Sequence, residues 1–433
     1  MAPLSVSSHK TPQGAKSTSS QSSLQLHGFK PPAMIIEPNL GLSENAAEKR
    51  MGVKMEKSSS ALESNSTMDL RKMMTIVGAF YWFIMTVIVV PVGCLCTLFL
   101  VLYPIMGIVW LLGLNKQIFN GIEHIVCQYA NDHWVSAGQY TGLTITEHGD
   151  DITEIADSRA LFLCNHLGLV DHFCLMTAFW DKKGLTGKYM WVIFNIWKWT
   201  PLGAMWTTHG NFFINGGRTK RDEVLREFGQ HLRNNYWEYD YGWVVMYPEG
   251  SRLYLVKEQE RKFAEKMGIE PFKHCSHPRT GAAHTTLTVC GKNPQDPTKA
   301  NAGDLPPMEY VIDCTLGYPK GEVVDISKAM LGEWPNDNSH VAVHYSIHKV
   351  KPEWADEAKL KEWLYQRYAE KDKLLDQFYK TGSFGSKPRP INFPISRIVQ
   401  SQLFWLLNFY VHTHFWIRPL LSFMWTSLLS LLF

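Results

Sequence analysis

Residues 159–180 read RALFLCNHLGLVDHFCLMTAFW, and the order of residue types in them points to one kind of fold. Ala160 to Cys164 is a short apolar run with no polar break, the pattern of a strand covered on both faces. Asp171 to Trp180 carries apolar side chains at three- and four-residue spacing, the pattern of a helix. Asn165, His166 and Gly168 form the polar connection between them. A strand, a tight connection and a helix make the repeating unit of an α/β protein, and open sheets hold their sites at the C-terminal ends of strands.

The same alternation continues on both sides. GLTITEH (142–148), KYMWVIF (188–194), TTHGNFFI (207–214), YGWVVMYP (241–248), EYVIDCTL (309–316) and VAVHYSIHKV (341–350) read as strands. RDEVLREFGQHLRNNY (221–236), KEQERKFAEKMG (257–268) and the amphipathic stretch 354–379 read as helices, and 293–307 as a turn-rich insertion. The expected core is therefore α/β, a central and mostly parallel sheet flanked by helices, over residues 117–385.

The two ends differ in composition. Residues 1–69 are rich in Ser, Lys, Gln and Pro and are expected to be disordered. From Met73 to Asn115 no residue is charged. As one straight helix that run would reach about 65 Å, roughly double a hydrocarbon core. Pro91 and Gly93 near its middle suggest a membrane helical hairpin over 70–116, and Arg71, Lys72 and Lys116 at its ends would place both ends in the cytosol. Residues 386–433 turn apolar and aromatic again. Ile398–Ile417 has the length to cross a bilayer, but a membrane-lying or re-entrant element fits equally well, so the segment is read as membrane-associated.

A formal net charge of +3 with scattered Lys and Arg gives no basic stripe for nucleic acid, whereas 45% hydrophobic and 13% aromatic content suits a protein that meets a bilayer. Eight cysteines at irregular spacing without a CxxC pair argue for reduced thiols rather than a disulfide framework or a zinc site. His340, His344 and His348 fall on one face of a strand, where successive imidazoles stand about 13 Å apart, too far to share an ion. No metal is expected.

Chemistry concentrates at the quoted connection. Across a turn leading into a helix His166 and Asp171 can meet, and an aspartate on one imidazole nitrogen leaves the other as a general base. Three further loops carry cations beside Gly or Pro: HGNFFINGGR ending in Arg218, YPEGSR with Glu249, Gly250, Ser251 and Arg252, and HPRTGAAH with Pro278 and Arg279. Arginine beside a close-approach glycine suits a phosphate-bearing ligand.

In this order the four blocks resemble the glycerolipid acyltransferase family: NH-x4-D at His166 and Asp171, a Phe-Ile run and Arg at Phe213, Ile214 and Arg218, PEGSR at Pro248–Arg252, and a proline block at Pro278-Arg279. The downstream EYVIDCTLGYPKGEVVDI resembles the branch of the acyl-CoA:lysophosphatidylglycerol acyltransferases. The resemblance implies His166 as catalytic base oriented by Asp171. It implies acceptor phosphate-binding by Arg218, Glu249, Gly250, Ser251 and Arg252, and a link of Pro278 and Arg279 to the acyl donor. It also implies acyl-CoA as co-substrate without a further cofactor, a lysophospholipid acceptor, and an endoplasmic reticulum membrane with the catalytic domain facing the cytosol. An acylglycerol-phosphate acceptor and a silent membrane scaffold are the alternative readings.

Overall fold

The computed structural model describes residues 70–200, 203–214, 220–391 and 394–432, all within the unit Ser66–Phe433. The expected disordered tail 1–69 and Arg218 lie outside the described residues.

Eight strands form one sheet in the order β4-β3-β5-β2-β6-β7-β1-β8. They are β1 (Thr144–Gly149), β2 (Ala160–Cys164), β3 (Tyr189–Phe194), β4 (Phe212–Ile214), β5 (Trp243–Met246), β6 (Tyr310–Gly317), β7 (His340–Lys349) and β8 (Arg389–Pro390). The neighbours from β4 to β6 run parallel, as do β1 and β7. The pairs β6–β7 and β1–β8 are antiparallel, which makes the sheet mixed. Of TTHGNFFI only Phe212–Ile214 is strand; Thr207 and Thr208 end a short helix, Gly203–Thr208, and Gly210 at φ +76° turns the chain between them.

The pleat divides the core in two. Phe162 and Cys164 of β2, Trp243 and Val245 of β5, and Ile312 and Cys314 of β6 join one cluster; Leu161, Leu163, Val244, Met246 and Val311 join the other. The long N-terminal helix α1 spans Leu70–Leu111, and α2 spans Gln117–Val135. Helix α3 (Asp171–Phe179) covers the first face through Cys174, Leu175 and Phe179. Helices α4 (Arg221–Asn235), α5 (Leu253–Met267) and α6 (Gly281–Cys290) follow, and Phe228, Leu232, Ala283 and Leu287 of α4 and α6 cover the second face. Helix α7 (Glu357–Thr381) closes that face with Leu360 and Leu364 and reaches β7 with Phe378.

The hairpin expected over 70–116 is not formed. Helix α1 runs unbroken for 42 residues and is the one described helix long and apolar enough to cross a membrane. Pro91 and Pro104 each come just after a π-helical turn, Met85–Val89 and Leu98–Leu102. The residue before each proline donates five residues back, from Val90 to Met85 and from Tyr103 to Leu98. The widened turn shifts the hydrogen-bond register where proline lacks its N–H, so the helix continues. Gly93 marks a helix contact: a Cβ there would stand 2.8 Å from Asn408 Oδ1 and 3.0 Å from the Trp405 ring.

Those two residues belong to α8 (Ile395–His412), which continues through a π-turn at Thr413–Ile417 into α9 (Arg418–Leu432), with Pro419 again just after the turn. Ser401 Oγ and Trp405 Nε1 both donate to the Tyr129 carbonyl, at 2.8 and 3.1 Å, and fix α8 against α2. Beyond the π-turn, Leu420, Leu421, Phe423, Met424 and Trp425 are exposed.

Candidate active site

Strands β5, β2 and β6 are adjacent and parallel, so their C-terminal ends lie along one edge. The chain leaves β2 at Asn165, whose side chain acts as one more rung of the ladder: Nδ2 donates to the Leu316 carbonyl at 2.9 Å and Oδ1 accepts from Leu316 N at 2.7 Å. His166 is therefore the first residue free of the sheet.

Asp171 opens α3 and is fully buried. Its Oδ2 accepts from Leu167 N at 2.7 Å, Gly168 N at 3.0 Å and His166 Nδ1 at 2.9 Å, and its Oδ1 accepts from Tyr318 OH at 2.7 Å. A carboxylate already holding three other donors accepts from the imidazole too, which makes Nδ1 the protonated nitrogen and leaves the Nε2 lone pair for chemistry. The His166 side chain keeps 14% exposure, and Nε2 makes no hydrogen bond to a described residue. The Tyr247 ring stacks on it at 4.3 Å and 21°, which fixes the imidazole plane.

His172 points into the packing against Trp191 and Tyr247, at 5.1 and 5.0 Å between ring centroids. Burial, reinforced by the neighbouring His166, pushes its pKa down to about 3. Half-buried beside these rings, it stays neutral.

The PEGSR block supplies the second support. Glu249 is buried, and its two oxygens accept from the backbone N–H of His166 and of Ser276, both at 2.9 Å. Desolvation pushes this carboxyl up to about 8. The sequence reading groups Glu249 with the phosphate ligands; both oxygens are committed to backbone, so it braces the turn instead. Gly250, at φ +67°, lets Arg279 lie against it, since a Cβ there would meet Arg279 Nη1 at 3.2 Å. Arg279 N donates to the Pro248 carbonyl at 2.8 Å, which joins the third block to buried Pro278 and the fourth. Half-buried Ser251 leads to Arg252, whose guanidinium sits 5.3 Å over the Tyr254 ring where α5 begins.

Among the described residues, arginines 159, 221, 261, 367 and 397 form salt bridges. Arg252 and Arg279 form none, although Arg279 lies near enough to Glu260 to help lower its carboxyl pKa. The sequence points to Asn165 only as part of the polar connection, without a role, and does not point to Tyr318, Tyr247 or Ser276. They share one signal, a position just past the end of β6, β5 or β2 or in the loop facing those ends.

The family model described as Acyltransferase matches residues 144–291, and that described as Acyltransferase C-terminus matches 336–409. A putative 1-acyl-sn-glycerol-3-phosphate acyltransferase of Caenorhabditis elegans is 48% identical over 367 residues, covering 84% of this chain and 91% of its own. Acyl-CoA:lysophosphatidylglycerol acyltransferase 1 of Homo sapiens is 35% identical over 277 residues, 63% of this chain and 74% of its own. The solved 1-acyl-sn-glycerophosphate acyltransferase of Thermotoga maritima aligns over 72% of the chain at 11% identity and a TM-score of 0.37, too distant a likeness to add to the argument.

Proposed function

The chain belongs to the glycerolipid and lysophospholipid acyltransferase family, and on that premise we propose that it moves a fatty acyl group from acyl-CoA to a hydroxyl of a lysophospholipid such as lysophosphatidylglycerol. The observation that carries this reading is the His166–Asp171 pair at 2.9 Å with Nε2 unengaged.

In the mechanism His166 Nε2 takes the proton of the acceptor hydroxyl as its oxygen attacks the thioester carbonyl. The tetrahedral intermediate collapses with cleavage of the C–S bond, and the imidazolium returns its proton to the leaving CoA thiolate. Asp171 stabilises the imidazolium and holds the ring. Arg252 and Arg279, which form no salt bridge with a described residue, are, with Arg218, the cations for the acceptor phosphate and the phosphates of the donor. Gly250 and Ser251 present backbone between them, and Pro278 sets the course of the fourth block. No further cofactor enters the scheme.

A 1-acylglycerol-3-phosphate acceptor is the second reading, favoured by the name of the nematode relative. The detergent-solubilised full chain, given radiolabelled acyl-CoA and a panel of lysophosphatidylglycerol, lysophosphatidic acid and other lysophospholipids, separates the readings. Label is expected in phosphatidylglycerol, and His166→Ala is expected to lower the rate by about 10²–10⁴-fold, the usual contribution of a general base. Label confined to phosphatidic acid would favour the second reading, and silence across the panel the scaffold. We place the protein in the endoplasmic reticulum membrane with the sheet on the cytosolic side, where acyl-CoA is supplied. Helix α1 and the exposed apolar residues of α9 support bilayer contact.

A further inference from the structure

A second set of reactive side chains lies wholly inside the protein and shares no residue with the His166 turn. Glu123 and Cys127 stand four residues apart on one face of α2, and His209 comes from the turn before β4. A carboxylate oxygen, Cys127 Sγ and a His209 ring nitrogen all lie within 4.8 Å of one another, and the three residues are buried.

The surroundings are those of a ligand set. His209 Nε2 sits 3.1 Å from the Tyr189 carbonyl, a contact that requires an N–H, so Nδ1 is the atom facing Glu123, at 2.9 and 3.1 Å from its two oxygens. Metal-ligating histidines are oriented in this way, with the far ring nitrogen donating to a carbonyl. Asn131 Nδ2 donates to Cys127 Sγ at 3.7 Å. Glu123 and His209 could also form a simple ion pair beside a thiol.

His124 separates the two possibilities. It is 9% exposed, and its Nε2 has no hydrogen-bond partner. That atom stands 3.9 Å from Glu123 Oε2, and its ring is 6.1 Å from that of His209. An ion pair between Glu123 and His209 leaves this nitrogen orphaned, at about 1–3 kcal/mol for an unpaired buried polar group. A shared ion gives it a partner.

We propose that Glu123, Cys127 and His209 form a zinc site that ties α2 to the β3–β4 edge of the sheet, with His124, which stands just outside that cluster, turning in as the fourth ligand. One thiolate, one carboxylate and two neutral imidazoles balance a divalent ion to zero net charge, and the donor set suits zinc's preference for mixed S, N and O ligands in a tetrahedron. Binding releases the Cys127 thiol proton, and any proton on His209 Nδ1, to solvent. Three of the ligands sit within five residues of α2 and the fourth in a distant turn, which is why cysteine spacing alone points away from a metal.

The full chain, purified in detergent, incubated with zinc and freed of loose metal by gel filtration, is expected to retain one zinc per chain by elemental analysis. Cys127→Ser is expected to lose it, while His166→Ala keeps it. Cobalt loaded in place of zinc in the wild type should show a tetrahedral visible band and thiolate-to-metal charge transfer, a readout that stands even where Cys127→Ser does not fold. Wild-type protein that retains no zinc, or cobalt protein without the charge-transfer band, overturns the proposal.

Discussion

At the scale of single residues the site rests on two buried carboxyls that hold different parts of His166. Asp171 takes the imidazole Nδ1 and Glu249 the backbone N–H, at 2.9 Å each. The first contact was legible, because NH-x4-D across a strand-to-helix turn brings the pair together. The second was not, because the partners of Glu249 are backbone N–H groups, which no residue letter records. Its carboxyl, raised by burial to about 8, binds its proton more tightly folded than unfolded. Stability from this group is therefore present at low pH and falls as pH rises from about 4.5 to about 8. Glu249→Gln removes the ionisation, so the variant is expected to gain on the wild type across that window, by a few kcal/mol at most. Urea melts at about pH 5 and about pH 9 check this, and a constant difference between the two proteins would contradict it.

At the scale of elements α1 shows how a familiar signal misleads. Pro91 and Gly93, two residues apart, read as a turn, yet the π-turn before the proline keeps the helix going and the glycine makes room for α8. The cause lies 312 residues downstream, at Trp405, and composition near Gly93 cannot show it. Gly93→Leu is expected to push α8 off α1 and lower stability by about 1–3 kcal/mol, as overpacking does, measured by thermal melting of the detergent-solubilised protein. The strand within TTHGNFFI is shorter than its sequence suggests for a related reason: Gly210 and Asn211, whose Oδ1 accepts from Trp191 N at 2.8 Å, start the strand later than its β-rich letters imply.

At the scale of the whole molecule the parallel run from β4 to β6 was legible from buried apolar strands alternating with helices, while the antiparallel placing of β7 has no counterpart in local pattern. A hairpin returns the chain to the side it left; a single crossing does not. A tag near Ser383 is expected to be digested by protease in sealed microsomes, in keeping with a cytosolic sheet, and protection would refute that orientation. A second tag ahead of Leu70 distinguishes crossing by α1, which shields it, from α1 lying along the bilayer face. The Asn165 rung also bears on the order of synthesis. The partner of Asn165, Leu316, comes 151 residues later, and Tyr318 follows it. A ribosome adding about 5–20 residues per second needs on the order of ten seconds or more to cover that distance. A nascent chain that ends before Tyr310 already contains every motif of the site, yet it lacks β6, to which Asn165 bonds, so α1 can reach the membrane well before the enzyme is able to act on it.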